Sequence, residues 1–179
     1  MTRAFIALEL SNEIKDQLAS AQQTLRGCKA RLTFVDPKII HITVKFLGEV
    51  DDTILKKVMV ALASIPFSPF SITAANVTVN NKKRPHTVWC TIDDAGQGER
   101  LFVLIEEALA PLGFARETRP FTAHATIARV KSPDPSLFSA LNTLDGNSYG
   151  SCRISGMKLK KSTLMVNGPV YEDLLEVKW

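Results

Sequence analysis

Two short runs carry the same pair of reactive side chains at the same spacing: His41-Ile42-Thr43-Val44 and His124-Ala125-Thr126-Ile127. An imidazole titrates near neutrality, so it serves there as either proton donor or proton acceptor. A hydroxyl two residues on can donate a hydrogen bond to an oxygen where charge is building. Facing one another across a gap, the two pairs would supply one base, one acid and two donors. That set suits metal-free, in-line displacement at a phosphodiester. A ribose 2′,3′-cyclic phosphate is an apt substrate, because its ring stores strain and keeps the leaving oxygen close. A metal held by His41 and His124 is the weaker alternative, since no nearby carboxylate or thiol completes a usual ligand set.

The elements that must position these residues are legible from hydrophobic spacing. Both motifs sit in apolar, β-branched segments, 39–47 and 121–130. In a strand, His and Thr two apart share one face while Ile42, Val44, Ala125 and Ile127 turn to a core. Regular alternation is taken to send Phe46 toward the cleft with His41 and Thr43. Arg129 falls on the parity opposite to His124 and needs a bulge to come round. Further strands are expected over 3–9 (with Ala4, Ile6 and Leu8 on one buried face), 31–35, 70–79, 87–92, 149–159 and 171–178. Helices are expected after Ser11, from Asp51-Asp52, over 98–112 and over 136–144, with Ser11 and the two aspartates favouring helix starts. Both motifs follow a proline-containing approach and precede a helix, which hints at an internal duplication. The expectation is therefore a single α+β domain over residues 1–179, with antiparallel sheets.

Composition sets the outer limits. The chain has 179 residues, a net charge of +4, 45% hydrophobic and 22% charged residues. That excludes disordered, collagen-like and disulfide-scaffold classes, and its apolar runs are too short for a membrane-spanning helix. Arg3 and Glu9 interrupt any secretory core near the start, so a cytoplasmic protein is expected. Cys28, Cys90 and Cys152 are widely spaced and read as reduced, mostly packed thiols. His86, beside Pro85, reads as a loop residue. The basic clusters Lys82-Lys83-Arg84 and Lys158-Lys160-Lys161 read as solvated faces able to attract an RNA tail weakly.

The octet His41-Ile-Thr-Val-Lys-Phe-Leu-Gly48 and the run Phe121-Thr-Ala-His-Ala-Thr-Ile-Ala-Arg129 resemble the two signature segments of the 2H phosphoesterase superfamily. More narrowly, the chain is similar to the RNA 2′,3′-cyclic phosphodiesterases, also known as 2′-5′ RNA ligase-like proteins. Arg3-Ala4-Phe5-Ile6-Ala7, Arg84-Pro85 with Val88-Trp89, and Ser162, Leu164 and Gly168-Pro169-Val170-Tyr171 extend the likeness over nearly the whole length. The resemblance implies a bilobal fold with two antiparallel sheets, flanking helices and a pseudo-twofold about a central cleft. It implies hydrolysis of RNA or nucleotide 2′,3′-cyclic phosphate to a 2′-phosphate, without metal or cofactor. By position, His41 would protonate the leaving 3′-oxygen, His124 would activate water, and Thr43 and Thr126 would hold the phosphate. Phe46 and Arg129 would contact the terminal base and phosphate. Ala123, Thr122 and Lys161-Ser162-Thr163 depart from the usual pattern, which bears on substrate preference and on the charge of the cleft rim. A cleft complete within one chain fits a monomer. Two alternatives use the same residues: an RNA-end binding module without turnover, and reversible 2′-5′ ligation with a 5′-hydroxyl in place of water.

Overall fold

A computed structural model describes residues 1–166 and 168–179. Among the described residues it contains nine strands and four α-helices. In chain order these are β1 (Thr2–Glu9), α1 (Asn12–Arg26), β2 (Arg31–Phe34), β3 (His41–Val50), α2 (Asp52–Ala63), β4 (Phe70–Val79), β5 (Thr87–Asp93), α3 (Gln97–Leu109), β6 (His124–Ser132), α4 (Ser136–Thr143), β7 (Ser151–Ile154), β8 (Gly156–Met165) and β9 (Gly168–Lys178).

The expected duplication is present in the topology. The antiparallel order β7-β4-β5-β6-β3-β1-β8-β9 divides into two four-stranded halves, each presenting its motif strand at the junction. Only Ile42 and Ala125 pair across that junction, so the two expected sheets are continuous through a single bridge. In each half the chain runs strand, helix, motif strand, helix: β1-α1-β3-α2 and β5-α3-β6-α4, with β2 as the one strand inserted before a motif strand. β2 pairs with β6, so a strand from the first half completes the second.

Three expectations change. β1 is buried on both faces, not one, because it is a central strand flanked by β3 and β8. Phe5 and Ala7, 3% and 0% exposed, lie on the face opposite Ala4, Ile6 and Leu8. The strand expected over 149–159 is two strands in different halves: β7 joins β4, and β8 joins β1. At the start of β8, Gly156 lets β9 pack closely, since a Cβ there would clash with the Val177 carbonyl oxygen. Both motif strands also begin later than expected, at the histidines themselves. Pro37–Ile39 form a 3-10 turn capped by Asp36, whose side chain accepts the Lys38 amide at 2.9 Å.

The helices start where their caps dictate. Ser11 Oγ accepts the Ile14 amide at 3.3 Å and Asp51 accepts that of Thr53 at 2.8 Å. Ile14, Leu18, Ala21 and Leu25 form the buried stripe of α1, each large side chain contributing roughly 1.5–3 kcal/mol by leaving water. Gln22 lies on the same stripe, 2% exposed, and its Nε2 donates to the carbonyls of Val35 (2.7 Å) and Ile127 (2.9 Å). That amide ties α1 to the segment after β2 and to the motif strand β6. Replacing Gln22 with Leu keeps the volume but removes both donors from a buried region. The expected loss is about 2–3 kcal/mol of unfolding free energy in a urea titration. A variant as stable as the parent would show that the tie contributes nothing.

Candidate active site

The bridge between Ile42 and Ala125 sets the symmetry of the site. Continuing its antiparallel register by one residue puts His41 opposite Thr126 and Thr43 opposite His124. Ile42, Val44, Ala125 and Ile127 point into the core, each no more than 5% exposed. The two imidazoles and two hydroxyls therefore share the other face, and all four line one cleft of about 930 Å³.

Each motif strand then bulges at the same place. In β3, Thr43 pairs with Ala7 but Lys45 with Ile6, leaving Val44 as the extra residue. In β6, Thr126 pairs with Trp89 but Ala128 with Val88, leaving Ile127 extra. Two successive residues are buried at each bulge, and the next returns to the cleft face. The burial sequences of the two strands are identical over nine positions from each histidine. Arg129 thus reaches the cleft by the bulge it required. Phe46 needs the same device: it lies five residues past His41, an odd offset, so unbroken alternation would have turned it to the core. It stands 65% exposed on the cleft rim.

Both rings are held by the same backbone contact. His41 Nδ1 lies 2.7 Å from the Ile39 carbonyl oxygen, and His124 Nδ1 lies 2.7 Å from that of Thr122. A carbonyl only accepts, so each Nδ1 donates and Nε2 carries the free lone pair in the neutral ring. His41 Nε2 lies 3.0 Å from Thr43 Oγ1. Burial is the main influence on both rings and pulls them below the ordinary imidazole value of 6.5. The carbonyl contacts partly offset this. Neighbouring charges then differ: Glu9 favours the imidazolium of His41 while Lys160 and Lys15 act against it, whereas Arg129 disfavours that of His124.

Several aromatic and polar neighbours complete the walls without having been assigned roles from sequence. Phe5 stacks on His41 at 5.0 Å between centroids, and Trp89 lies 4.2 Å from His124. Thr87 Oγ1 accepts from Arg129 Nη1 at 3.2 Å, fixing the guanidinium. Phe5, Thr87 and Trp89 are brought in by pairing with the motif strands, which no local sequence pattern announces. His86 is exposed on its loop, as expected. Burial pushes the Cys90 thiol up to about 12, so it stays protonated and unreactive. Among the described residues no three His, Cys, Asp or Glu side chains cluster closely enough to hold a metal ion, and no helix is long and apolar enough to cross a membrane.

Comparison with known proteins gives the family and the fold. An RNA 2′,3′-cyclic phosphodiesterase of Archaeoglobus fulgidus is 32% identical over 96% of this chain and 97% of its own. One from Methanocaldococcus jannaschii is 34% identical over 97% and 99%. The crystal structure of TT0787 of Thermus thermophilus superposes with a TM-score of 0.83, covering 98% of this chain and 97% of that one at 24% identity. Escherichia coli LigT complexed with 3′-AMP gives 0.81 over 99% and 97% at 20% identity; both show the shared fold. The LigT like Phosphoesterase family matches residues 8–90 and 92–171, segments that contain both His-x-Thr pairs, and the chain belongs to that family.

Proposed function

We propose that the protein hydrolyses RNA or nucleotide 2′,3′-cyclic phosphates to 2′-phosphates, using the two imidazoles as acid and base without a metal. The observation that carries this reading is that two Nδ1-anchored histidines, each with a hydroxyl two residues on, line one cleft. The relatives' activity on RNA 2′,3′-cyclic phosphates supports it.

In the proposed reaction, His124 Nε2 takes a proton from water as the water oxygen bonds to phosphorus. The bond from phosphorus to the 3′-oxygen breaks, and His41 delivers its proton to that oxygen. The products are a 2′-phosphate and a 3′-hydroxyl, with the protonation states of the histidines exchanged and reset by solvent. The acid and base roles are carried over by position from the family resemblance. Burial favours the neutral ring at both sites; Arg129 acts in the same sense at His124, and Glu9 acts against it at His41, where Lys160 and Lys15 oppose Glu9. Thr43 and Thr126 would stabilise charge on the non-bridging oxygens. Phe46 and Arg129, at equivalent places on the two strands, would hold the terminal base and its phosphate.

The test uses 2′,3′-cyclic mononucleotides and a cyclic-ended oligonucleotide, each with and without EDTA, with the products resolved. The expected result is a 2′-phosphate formed at an unchanged rate in chelator. A 3′-phosphate product would overturn the regiochemistry, and activity abolished by EDTA and restored by added metal would overturn the metal-free mechanism. Tight binding of cyclic ends with no product would favour an RNA-end binding module.

A further inference from the structure

Tyr171 belongs to none of the roles above, yet it is built into the same cleft. It sits on β9 opposite Ser162, and its ring packs edge-on against two others: Phe5 at 4.9 Å and 69°, and His41 at 5.5 Å and 82°. Phe5 covers a face of the His41 imidazole and Tyr171 closes on it nearly at right angles. These contacts fix the phenol ring and therefore the direction of its hydroxyl.

The ring alone would meet the packing need, and a phenylalanine would supply it without an oxygen to desolvate. Tyr171 Oη makes no hydrogen bond to another described residue. Burial raises the phenol above its ordinary value, so it remains a protonated donor through the physiological range. The foremost charge acting against that is Arg129, which belongs to the opposite half of the molecule, followed by Arg3. Tyr171 packs against His41 and lines the same cleft as Arg129 from the other half. A neutral donor in a cleft shared with an imidazole and a guanidinium is suited to an anionic oxygen.

We propose that the Tyr171 hydroxyl donates a hydrogen bond to a phosphoryl oxygen of the bound substrate, a third such donor beside Thr43 and Thr126. Its ring holds the His41 imidazole upright from the side. The assignment rests on the phosphodiesterase reading, but a binding measurement tests it apart from turnover.

The decisive variant is Tyr171→Phe, which keeps the ring and deletes the oxygen. Calorimetry with inorganic phosphate and with a nucleoside 2′-monophosphate is expected to show affinity about tenfold weaker than in the parent, the effect of one hydrogen bond to a charged acceptor. kcat/KM for a 2′,3′-cyclic mononucleotide falls by a similar factor while its pH profile is unchanged, because the surroundings of His41 are kept. Tyr171→Leu, which also removes the ring, shifts the pH profile. Phosphate bound equally tightly by parent and Tyr171→Phe would overturn the proposal. A parent protein that binds phosphate but turns over no cyclic substrate would instead sink the phosphodiesterase reading.

Discussion

His41→Ala and His124→Ala are each expected to lower turnover of a 2′,3′-cyclic phosphate by about 100- to 10,000-fold, the range for losing one positioned proton-transfer group. The double variant should be scarcely slower than the worse single one, because acid and base act within one transition state. The pH dependence separates their roles. Burial holds both rings below 6.5, so the bell-shaped profile of kcat/KM, which reports the free enzyme, peaks on the acidic side of that value. The base must be neutral and gives the acid-side limb; the acid must be protonated and gives the alkaline limb. Loss of the alkaline limb is therefore expected in His41→Ala, and loss of the acid-side limb in His124→Ala. Limbs lost the other way round would exchange the two assignments. Either single variant turning over at the parent rate would end the two-imidazole mechanism.

The two His-x-Thr pairs are legible in the sequence because a strand's period of two is rigid: His and Thr two apart share a face wherever the strand goes. Phe46 and Arg129 were harder, since each depends on a bulge that no residue type announces. Val44 and Ile127 are ordinary β-branched strand residues, and only the backbone pairing reveals them as insertions. The repeat was visible as two tetrapeptides, but the exchange of β2 into the second half and the splitting of 149–159 between halves depend on which edges need partners. Phe5, Trp89 and Tyr171 reach the histidines from β1, β5 and β9, distances along the chain that local patterns do not span. Lys45 is the clearest case. Its type reads as a solvated surface residue, yet it is 5% exposed.

Lys45 is buried because the bulge in β3 directs it out of its own half toward α3. Its Nζ lies 2.5 Å from Glu106 Oε1 and donates to the Ala115 carbonyl at 3.0 Å. Glu106 Oε2 accepts the Glu117 amide at 3.0 Å. One ion pair thus anchors both the motif strand β3 and the segment that runs from α3 to His124. That segment carries Arg119 along the cleft and supplies the Thr122 carbonyl that orients the second imidazole. At the equivalent place on β6 stands Ala128, so the anchor exists in one half only. Glu106→Ala would strand a buried ammonium with a single carbonyl partner, and the expected cost is about 3–5 kcal/mol of unfolding free energy in urea. Replacing both partners with apolar residues, Lys45→Met with Glu106→Leu, should recover most of that loss, because the desolvation of two charges is then no longer opposed to folding. If Glu106→Ala instead unfolds within about 1 kcal/mol of the parent, the pair behaves like an exposed salt bridge and the segment is held by its other contacts. Those contacts include the stacking of Phe121 on Phe102 at 5.4 Å.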